Sequence, residues 1–311
     1  MKQNKIIIGS RSSLLASTQT KWVVKELNKY FPDLQIEIKW ISTQGDRLSE
    51  AGTQGSLGKG IFVKDIEQAL LNKEIDLAVH SLKDVPQELP DGLILGPFPK
   101  RENPNDVFIS RFGELLEELP KGSTIGTSSP RRRAQILFHY KKRQYRVENI
   151  RGNVDTRLKK LQDGKFDGII LAQAGLNRLG LQSEITQVIE PSVLLPAPCQ
   201  GCLGLELRMN DQTIFDFISV LKDPISDITA RAERAFLQGV GGDCYVPLGC
   251  LAKIDQESLH MDAVVLDVDG TKRILTDHSG SVHTPELVGA ECAEKLLFVG
   301  GSEILMGNRV K

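Results

Sequence analysis

The spacing of apolar positions divides the chain into recognisable pieces. Ile6-Ile7-Ile8-Gly9 predicts a strand, and Ser10-Arg11-Ser12-Ser13 leads from it into a helix running to about Tyr30. Ala16, Thr20, Val23, Leu27 and Tyr30 recur at helical spacing and predict one face of that helix. From Leu34 to Ile41 polarity alternates, with Ile36, Ile38 and Trp40 on one side and Glu37 and Lys39 on the other, as in a strand. Thr43 to Gly60 is rich in Gly, Ser, Thr and Gln and has no apolar period, so a long loop of the lid type is expected. Ile61 to Leu71 reads as helix. Ile75 to Val79 is then a short apolar run, a buried strand, followed by His80-Ser81-Leu82-Lys83-Asp84 before Pro86 stops regular structure.

After the stiff, polar crossing Gly96 to Pro104 the pattern starts again. Thr124-Ile125-Gly126-Thr127-Ser128-Ser129-Pro130 echoes Ile7-Ile8-Gly9-Ser10-Arg11-Ser12: strand, glycine, hydroxyl residues, helix. Pro130 suits a first helical position. Lys165-Phe166-Asp167-Gly168-Ile169-Ile170-Leu171 likewise echoes Glu74-Ile75-Asp76-Leu77-Ala78-Val79. Glu190 to Pro198 reads as a second crossing, returning the chain to the first unit with Leu203 to Leu207 as a further strand. The expectation is two similar α/β lobes, residues 1–98 with 200–219 and residues 105–195. A third region, residues 224–311, reads as a small α+β domain. Its expected elements are a helix from Asp227 to Gln238, the glycine loop Gly239 to Pro247, strands at 248–254, 259–268 and 272–276, and a helix from Thr284 to about Gly300. Asp269-Gly270 is its hairpin turn.

Composition changes this picture little. The 311 residues suffice for two or three domains, and no apolar run approaches a membrane span. With no secretory apolar segment at Met1 to Lys5, the expectation is a cytosolic protein with reduced thiols, and since no long apolar interface helix stands out a monomer is the default. Charge is more informative. Residues 121–160 hold 12 Lys+Arg against Glu148 and Asp155, whereas residues 201–311 hold 10 Lys+Arg against 17 Asp+Glu. A basic middle segment suits an anionic ligand, either nucleic acid or a polycarboxylate. Nucleic acid would want aromatics interleaved with the charges, and only Phe138, Tyr140 and Tyr145 occur there.

Candidate chemistry falls at the strand ends. Ligands of open α/β sheets bind beyond the carboxyl ends of strands, which singles out Lys83 and Asp84; the alternative is that Asp84 only caps a short turn. Each strand-to-helix corner offers unpaired N–H groups for carboxylates. Arg11 stands at the first corner and Arg131, Arg132 and Arg133 at the second, with Arg151, Arg157 and Arg178 further on. Arginine grips carboxylate through paired hydrogen bonds. Gly58-Lys59-Gly60 would let backbone approach an anion closely. Cys199 and Cys202 have the spacing of a zinc or redox pair but lack a matching second pair, so no metal site is expected. Cys244 sits in a loop with glycines at 239, 241 and 242, which leaves its sulfur open to reaction.

Val79-His80-Ser81-Leu82-Lys83-Asp84 and the Gly242-Asp243-Cys244-Tyr245-Val246-Pro247 loop resemble the signatures of the porphobilinogen deaminases. So do Gly9-Ser10-Arg11, Thr43 to Asp46, Gly58 to Phe62, Thr127-Ser128-Ser129 with Arg131-Arg132, Arg151-Gly152-Asn153, Thr156-Arg157, Gly175 to Gly180 and Gln200-Gly201, in order along nearly the whole chain. The resemblance implies an α/β fold of two periplasmic-binding-protein-like lobes on a double hinge, with a small C-terminal α+β domain. It implies a transferase that joins four porphobilinogens head to tail, with loss of ammonia, into hydroxymethylbilane on a dipyrromethane cofactor attached through Cys244. Asp84 would be the catalytic carboxylate, aided by Lys83. Arg11, Ser13, Thr127, Ser129, Arg131, Arg132, Arg151 and Arg157 would hold the cofactor. Arg11, Gln19, Lys59, Phe62, Ser81, Arg151, Arg157 and Arg178 would meet substrate. No nucleic acid, membrane or obligate protein partner is implied. The family commonly has glycine where this chain has Asp243, and a carboxylate there disfavours a neighbouring thiolate. The runner-up is a two-lobed anion-binding or sensor protein without catalysis, since such folds also serve binding alone; Asp84 and Cys244 discriminate between the two.

Overall fold

The computed structural model describes residues 5–50, 60–241 and 246–310. The chain forms two compact units, Met1–Glu102 with Gly201–Asp227 and Asn103–Gln200 with Ile228–Lys311.

In chain order the first unit has β1 (Lys5–Arg11), α1 (Leu14–Tyr30), β2 (Gln35–Ile41), α2 (Gln44–Glu50), α3 (Lys64–Leu71), β3 (Leu77–Ser81) and β4 (Leu93–Leu95). The second has β5 (Asp106–Ser110), β6 (Thr124–Gly126), α4 (Pro130–His139), β7 (Arg146–Glu148), α5 (Val154–Gln162), β8 (Gly168–Ala172), α6 (Gln173–Leu179) and β9 (Gln187–Ile189). The chain then supplies β10 (Leu203–Arg208) and α7 (Gln212–Ser219) to the first unit. Next come α8 (Pro224–Gly239), β11 (Leu248–Asp255), β12 (Ser258–Leu266), β13 (Arg273–Ser281), α9 (Pro285–Leu296) and α10 (Ser302–Val310).

The two five-stranded sheets follow one plan. Their orders are β2-β1-β3-β10-β4 and β7-β6-β8-β5-β9. The first three strands of each are parallel, and the fourth runs antiparallel to the third and to the fifth. The sequence echoes are echoes of structure. Asp76 accepts a hydrogen bond from the Ile7 amide at 2.9 Å, and Asp167 accepts one from the Thr124 amide at 2.7 Å. In each sheet the fourth strand is the first to form after the chain has passed between units, β5 after residue 103 and β10 after residue 201.

Alternation sets the layers of the first unit. Leu77 and Val79 face α1 and α7, in a core with Val23, Leu27, Leu205, Leu207, Ile214 and Ile218. Ala78 faces the other way, toward Ile66, Ala69 and Leu70 of α3. Residues 228–310 form an antiparallel β11-β12-β13 sheet packed against Phe236 of α8 and Val288, Cys292 and Leu296 of α9.

Some expectations need correction. Thr43 to Gly60 is not loop throughout: α2 occupies Gln44–Glu50. Tyr30 does not belong to the buried face of α1, where Gln19 joins Thr20, Val23 and Leu27 instead. Trp40 is exposed, because β2 is an edge strand. β13 runs on to Ser281, and α10 continues the chain beyond Gly300, whose φ of 112° permits the change of direction.

Candidate active site

In the first unit β1 and β3 are parallel neighbours, so their carboxyl ends, at Arg11 and Ser81, lie on one edge of the sheet. Beyond Ser81 the chain makes one 3₁₀ turn, Leu82–Asp84. Leu82 is buried and donates its amide to the Cys202 carbonyl at 3.0 Å, which fixes the turn; Lys83 is half-buried and Asp84 exposed. Ser81 is the N-cap of this turn and Asp84 its last residue, so Asp84 is not a capping side chain. Ser81 is held from the α1 side: the Gln19 amide nitrogen donates to its hydroxyl at 3.0 Å. Ser13 caps α1, its oxygen accepting from the Ala16 amide at 3.4 Å.

Arg11 is engaged on two sides. Its guanidinium makes a forked pair with Asp46, at 2.5 Å from Nη2 and 3.1 Å from Nε to Oδ1, and lies 4.3 Å from the centre of the Phe62 ring. Asp46 is set by Thr43, whose hydroxyl donates to Oδ2 at 2.7 Å and accepts from the Asp46 amide at 3.3 Å. Burial would raise the Asp46 value, but Arg11 and Thr43 hold it below the ordinary carboxylate range. Gly45 lies so close to Phe62 that a Cβ there would sit 2.4 Å from the ring. Lys59 lies outside the described residues.

In the second unit Ser129 caps α4, accepting from the Arg132 amide at 3.4 Å, and Thr127 Oγ1 accepts from the Ser129 amide at 3.2 Å. Arg131 and Arg132 are buried rather than solvated, and both close on Asp106, which is fully buried at the start of β5. Arg131 Nη1 lies 2.7 Å from Oδ2; Arg132 Nη2 and Nε lie 2.7 and 3.0 Å from Oδ1. Gln200 Nε2 donates to the same carboxylate at 2.9 Å. Burial alone would raise Asp106, yet the two guanidiniums override it and hold the carboxyl well below its ordinary range. Arg131 also reaches the Leu195 carbonyl and Arg132 the Ile170 carbonyl.

Arg151-Gly152-Asn153 forms the turn into α5. Gly152 has φ 110°, and a Cβ there would strike Thr156 at 2.7 Å. Arg157 bends back so that Nε donates to the Gly152 carbonyl at 2.8 Å. Burial, and then the charge of Arg132, pull its value down to about 10. Arg178 is half-buried on α6. The cationic charge crowded around Arg132 and Arg157 suits a polyanion.

Cys244 lies outside the described residues. Cys199, Cys202, Cys250 and Cys292 are buried, and burial pushes the Cys292 thiol up to about 12. Among the described residues no cluster of three His, Cys, Asp or Glu could hold a metal, and no helix is long and apolar enough to cross a membrane. Sequence reading missed Asp46 as the partner of Arg11 and Asp106 as the partner of Arg131 and Arg132. For Asp46 a signal existed, the Thr43-Gln44-Gly45-Asp46 spacing of a capping box.

Two sheets built on one plan, each with basic and hydroxyl-bearing residues at its strand ends, define a class, the two-lobed α/β proteins. Two family models cover the chain, "Porphobilinogen deaminase, dipyromethane cofactor binding domain" at residues 6–216 and "Porphobilinogen deaminase, C-terminal domain" at residues 228–298. A porphobilinogen deaminase of Desulforamulus reducens is 43% identical over 303 residues, covering 97% of each chain. One of Thermus thermophilus is 42% identical over 301 residues, covering 96% of this chain and 98% of its own. Among solved structures, the methionine-binding protein MetQ is 14% identical, with a TM-score of 0.44 over 70% of this chain and 90% of its own. The chain belongs to the porphobilinogen deaminase family. It is a transferase that polymerises porphobilinogen head to tail into hydroxymethylbilane, with a domain for the dipyrromethane cofactor.

Proposed function

We propose that Asp84 is the carboxylate at the centre of this polymerisation and that Cys244 carries the dipyrromethane covalently, through a thioether. The observation that carries the reading of Asp84 is its position: exposed, at the end of a 3₁₀ turn fixed by buried Leu82, on the sheet edge that also bears Arg11. When bound, the cofactor supplies the pyrrole to which the first substrate is joined.

The donor set fits such a group. Each pyrrole of dipyrromethane and of porphobilinogen carries an acetate and a propionate, and Arg11, Arg131, Arg132, Arg151 and Arg157 are the matching cations, with Ser13, Thr127 and Ser129 as hydroxyl partners. Arg157, already depressed by burial and by Arg132, gains from an anion beside it. Arg11, Gln19, Lys59, Phe62, Ser81 and Arg178 complete the substrate set. Lys83 orients the acidic groups, and Phe62 offers a face to a pyrrole ring. Asp84 stabilises the cation left on porphobilinogen as ammonia departs, gives a proton to the leaving amine and takes one from the ring carbon after the bond forms. A fixed anion at that point lowers the barrier because the ring charge it meets is absent from the bound substrate and develops as the amine leaves.

The remaining parts of the reading are a monomeric, cytoplasmic enzyme whose small-molecule substrate needs no nucleic acid, membrane or protein partner. Intact mass after denaturation tests the covalent cofactor: two linked pyrroles should remain on the chain and be lost with Cys244→Ser. Ammonia release by Asp84→Asn tests the carboxylate, and normal release would reject it.

A further inference from the structure

Three titratable side chains are buried in the layer between α3 and the first sheet, and the polymerisation does not use them. Glu67 of α3, His80 of β3 and Glu206 of β10 are 5%, 5% and 0% exposed. They share that layer with Ile66, Ala69, Leu70 and Ala78. His80 Nε2 lies 3.0 Å from Glu206 Oε2, so the ring N–H donates to the carboxylate. The other Glu206 oxygen, Oε1, is buried without a hydrogen-bond partner, and so is Oε1 of Glu67. A buried, unsatisfied carboxylate oxygen is costly, and a second anion beside the first more so.

A proton on Glu67 would remove one of the two buried charges and give that carboxyl a hydrogen to donate. Burial, and then the charge of Glu206, raise Glu67 to about 7, against the lowering effects of His80 and Lys64. Arg208, two residues along β10, is committed to Asp76 and Asp211.

The second unit shows that the fold does not need these charges. Its sheet has the same order and pairing, Ser81 lying opposite Leu203 as Ala172 lies opposite Asp106. Counting along those strands, the counterpart of His80 is Leu171 and that of Glu206 is Ile109, both buried in an apolar core. The polar cluster is therefore particular to the half that carries Lys83 and Asp84.

We propose that Glu67 and Glu206 form a buried carboxylic acid–carboxylate pair that locks the His80 ring, and through it the end of β3, as the positioning unit for the Ser81–Asp84 turn. The turn is then gripped from both faces of the strand, by Gln19 on Ser81 from the α1 side and by the acid pair on His80 from the α3 side. These are positioning residues, and the inference rests on reading Asp84 as the reacting carboxylate.

Infrared difference spectra of the holoenzyme near pH 6, wild type minus Glu67→Gln, should contain the band of a protonated carboxyl group. Its absence overturns the proposal. Glu67→Met removes the donor, and its kcat should fall about tenfold or more with KM little changed. Glu67→Gln returns a neutral donor and should restore most of that turnover. Equal activity in the two variants, or a loss in Glu67→Met that follows its melting temperature, assigns the cluster to folding alone and overturns the positioning role. Asp84→Asn separates the two readings. If it turns over normally, the reading of Asp84 fails and the positioning role falls with it, while the infrared band still decides whether the pair holds its proton.

Discussion

Removing the carboxylate of Asp106 should strand two guanidiniums in the interior of the second unit. Asp106 is 0% exposed, Arg131 4% and Arg132 6%, and the carboxylate accepts from both arginines and from Gln200. Breaking a buried pair by deleting one partner costs about 3–5 kcal/mol, because the remaining charge is desolvated and uncompensated. A unit of this size loses about 2–4 °C of Tm per kcal/mol, so Asp106→Ala should melt on the order of 6–20 °C lower at pH 7. Asp106→Asn keeps one acceptor oxygen and should fall toward the lower end. The pH dependence is specific. The folded-state value of Asp106 is depressed, so its stabilisation is full above the ordinary value of 3.8 and is lost as pH falls below it. The gap between wild type and Asp106→Asn should therefore close in acid. Calorimetric melts from pH 7 down to pH 2 test this. A shift at pH 7 smaller than about 2 °C, less than even one kcal/mol produces, would refute the coupling. A gap that stays constant into acid would mean that shape, not charge, is what Asp106 supplies. Replacing Asp106, Arg131 and Arg132 together by apolar residues should recover much of the loss, since no isolated charge is then left behind.

Four further outcomes are expected. Asp84→Asn should keep the wild-type melting temperature yet release ammonia at least about a hundredfold more slowly, as loss of an electrostatic and proton-transfer group implies. Cys244→Ser should have unmodified mass and little activity, whereas Cys199→Ser, Cys202→Ser, Cys250→Ser and Cys292→Ser should retain the adduct; an adduct that moves to one of the buried cysteines refutes the assignment. Arg11→Leu leaves Asp46 without its fork, and charge-assisted bonds of this kind are worth about 1.5–3 kcal/mol, so stalled early products should accumulate on native gels. Glu67 has a raised folded-state value, so its contribution to stability is full below its ordinary 4.5 and is lost as pH rises to about 7. Glu67→Gln should therefore gain on wild type across that window, by up to about 3 kcal/mol in denaturant unfolding.

Much of the scaffold was legible because it is periodic. The apolar run ending at Ser81, the helix after Ser13 and the two echoes all rest on local spacing, and local spacing survives folding. The misses share a different cause. α2 is a polar helix without an apolar stripe, held by Thr43 and Asp46 and packed through Gly45 on Phe62, so periodicity had nothing to register. Asp106 and Glu206 are single acids in apolar strands, and their partners come from residues 25 to 126 positions away. A lone acid within an apolar strand is itself a signal: it predicts that a buried cation or a proton must accompany it. The arginines at the second corner were visible as a group, but the sequence could not show which of their donors the protein itself consumes.

The repeat also bears on how one scaffold comes to carry chemistry at one end only. Both halves offer the same strand-to-helix corner, with Ser13 and Ser129 capping α1 and α4 through bonds of equal length, 3.4 Å. They part where the third strand ends. In the second unit β8 runs straight into α6 through Ala172-Gln173-Ala174-Gly175, with no acid in the turn. In the first, β3 gives one 3₁₀ turn that presents Lys83 and Asp84. On the proposed reading a corner for carboxylates is thus available twice, whereas an added anion at the strand end is available once. A binding protein would need only the former. A polymerase of carboxylated pyrroles needs both, because its substrate keeps its carboxylates throughout and gains a delocalised ring cation only as the amine departs. On the proposed reading Asp84, exposed at that strand end, answers the transient charge, and the arginines answer the permanent ones.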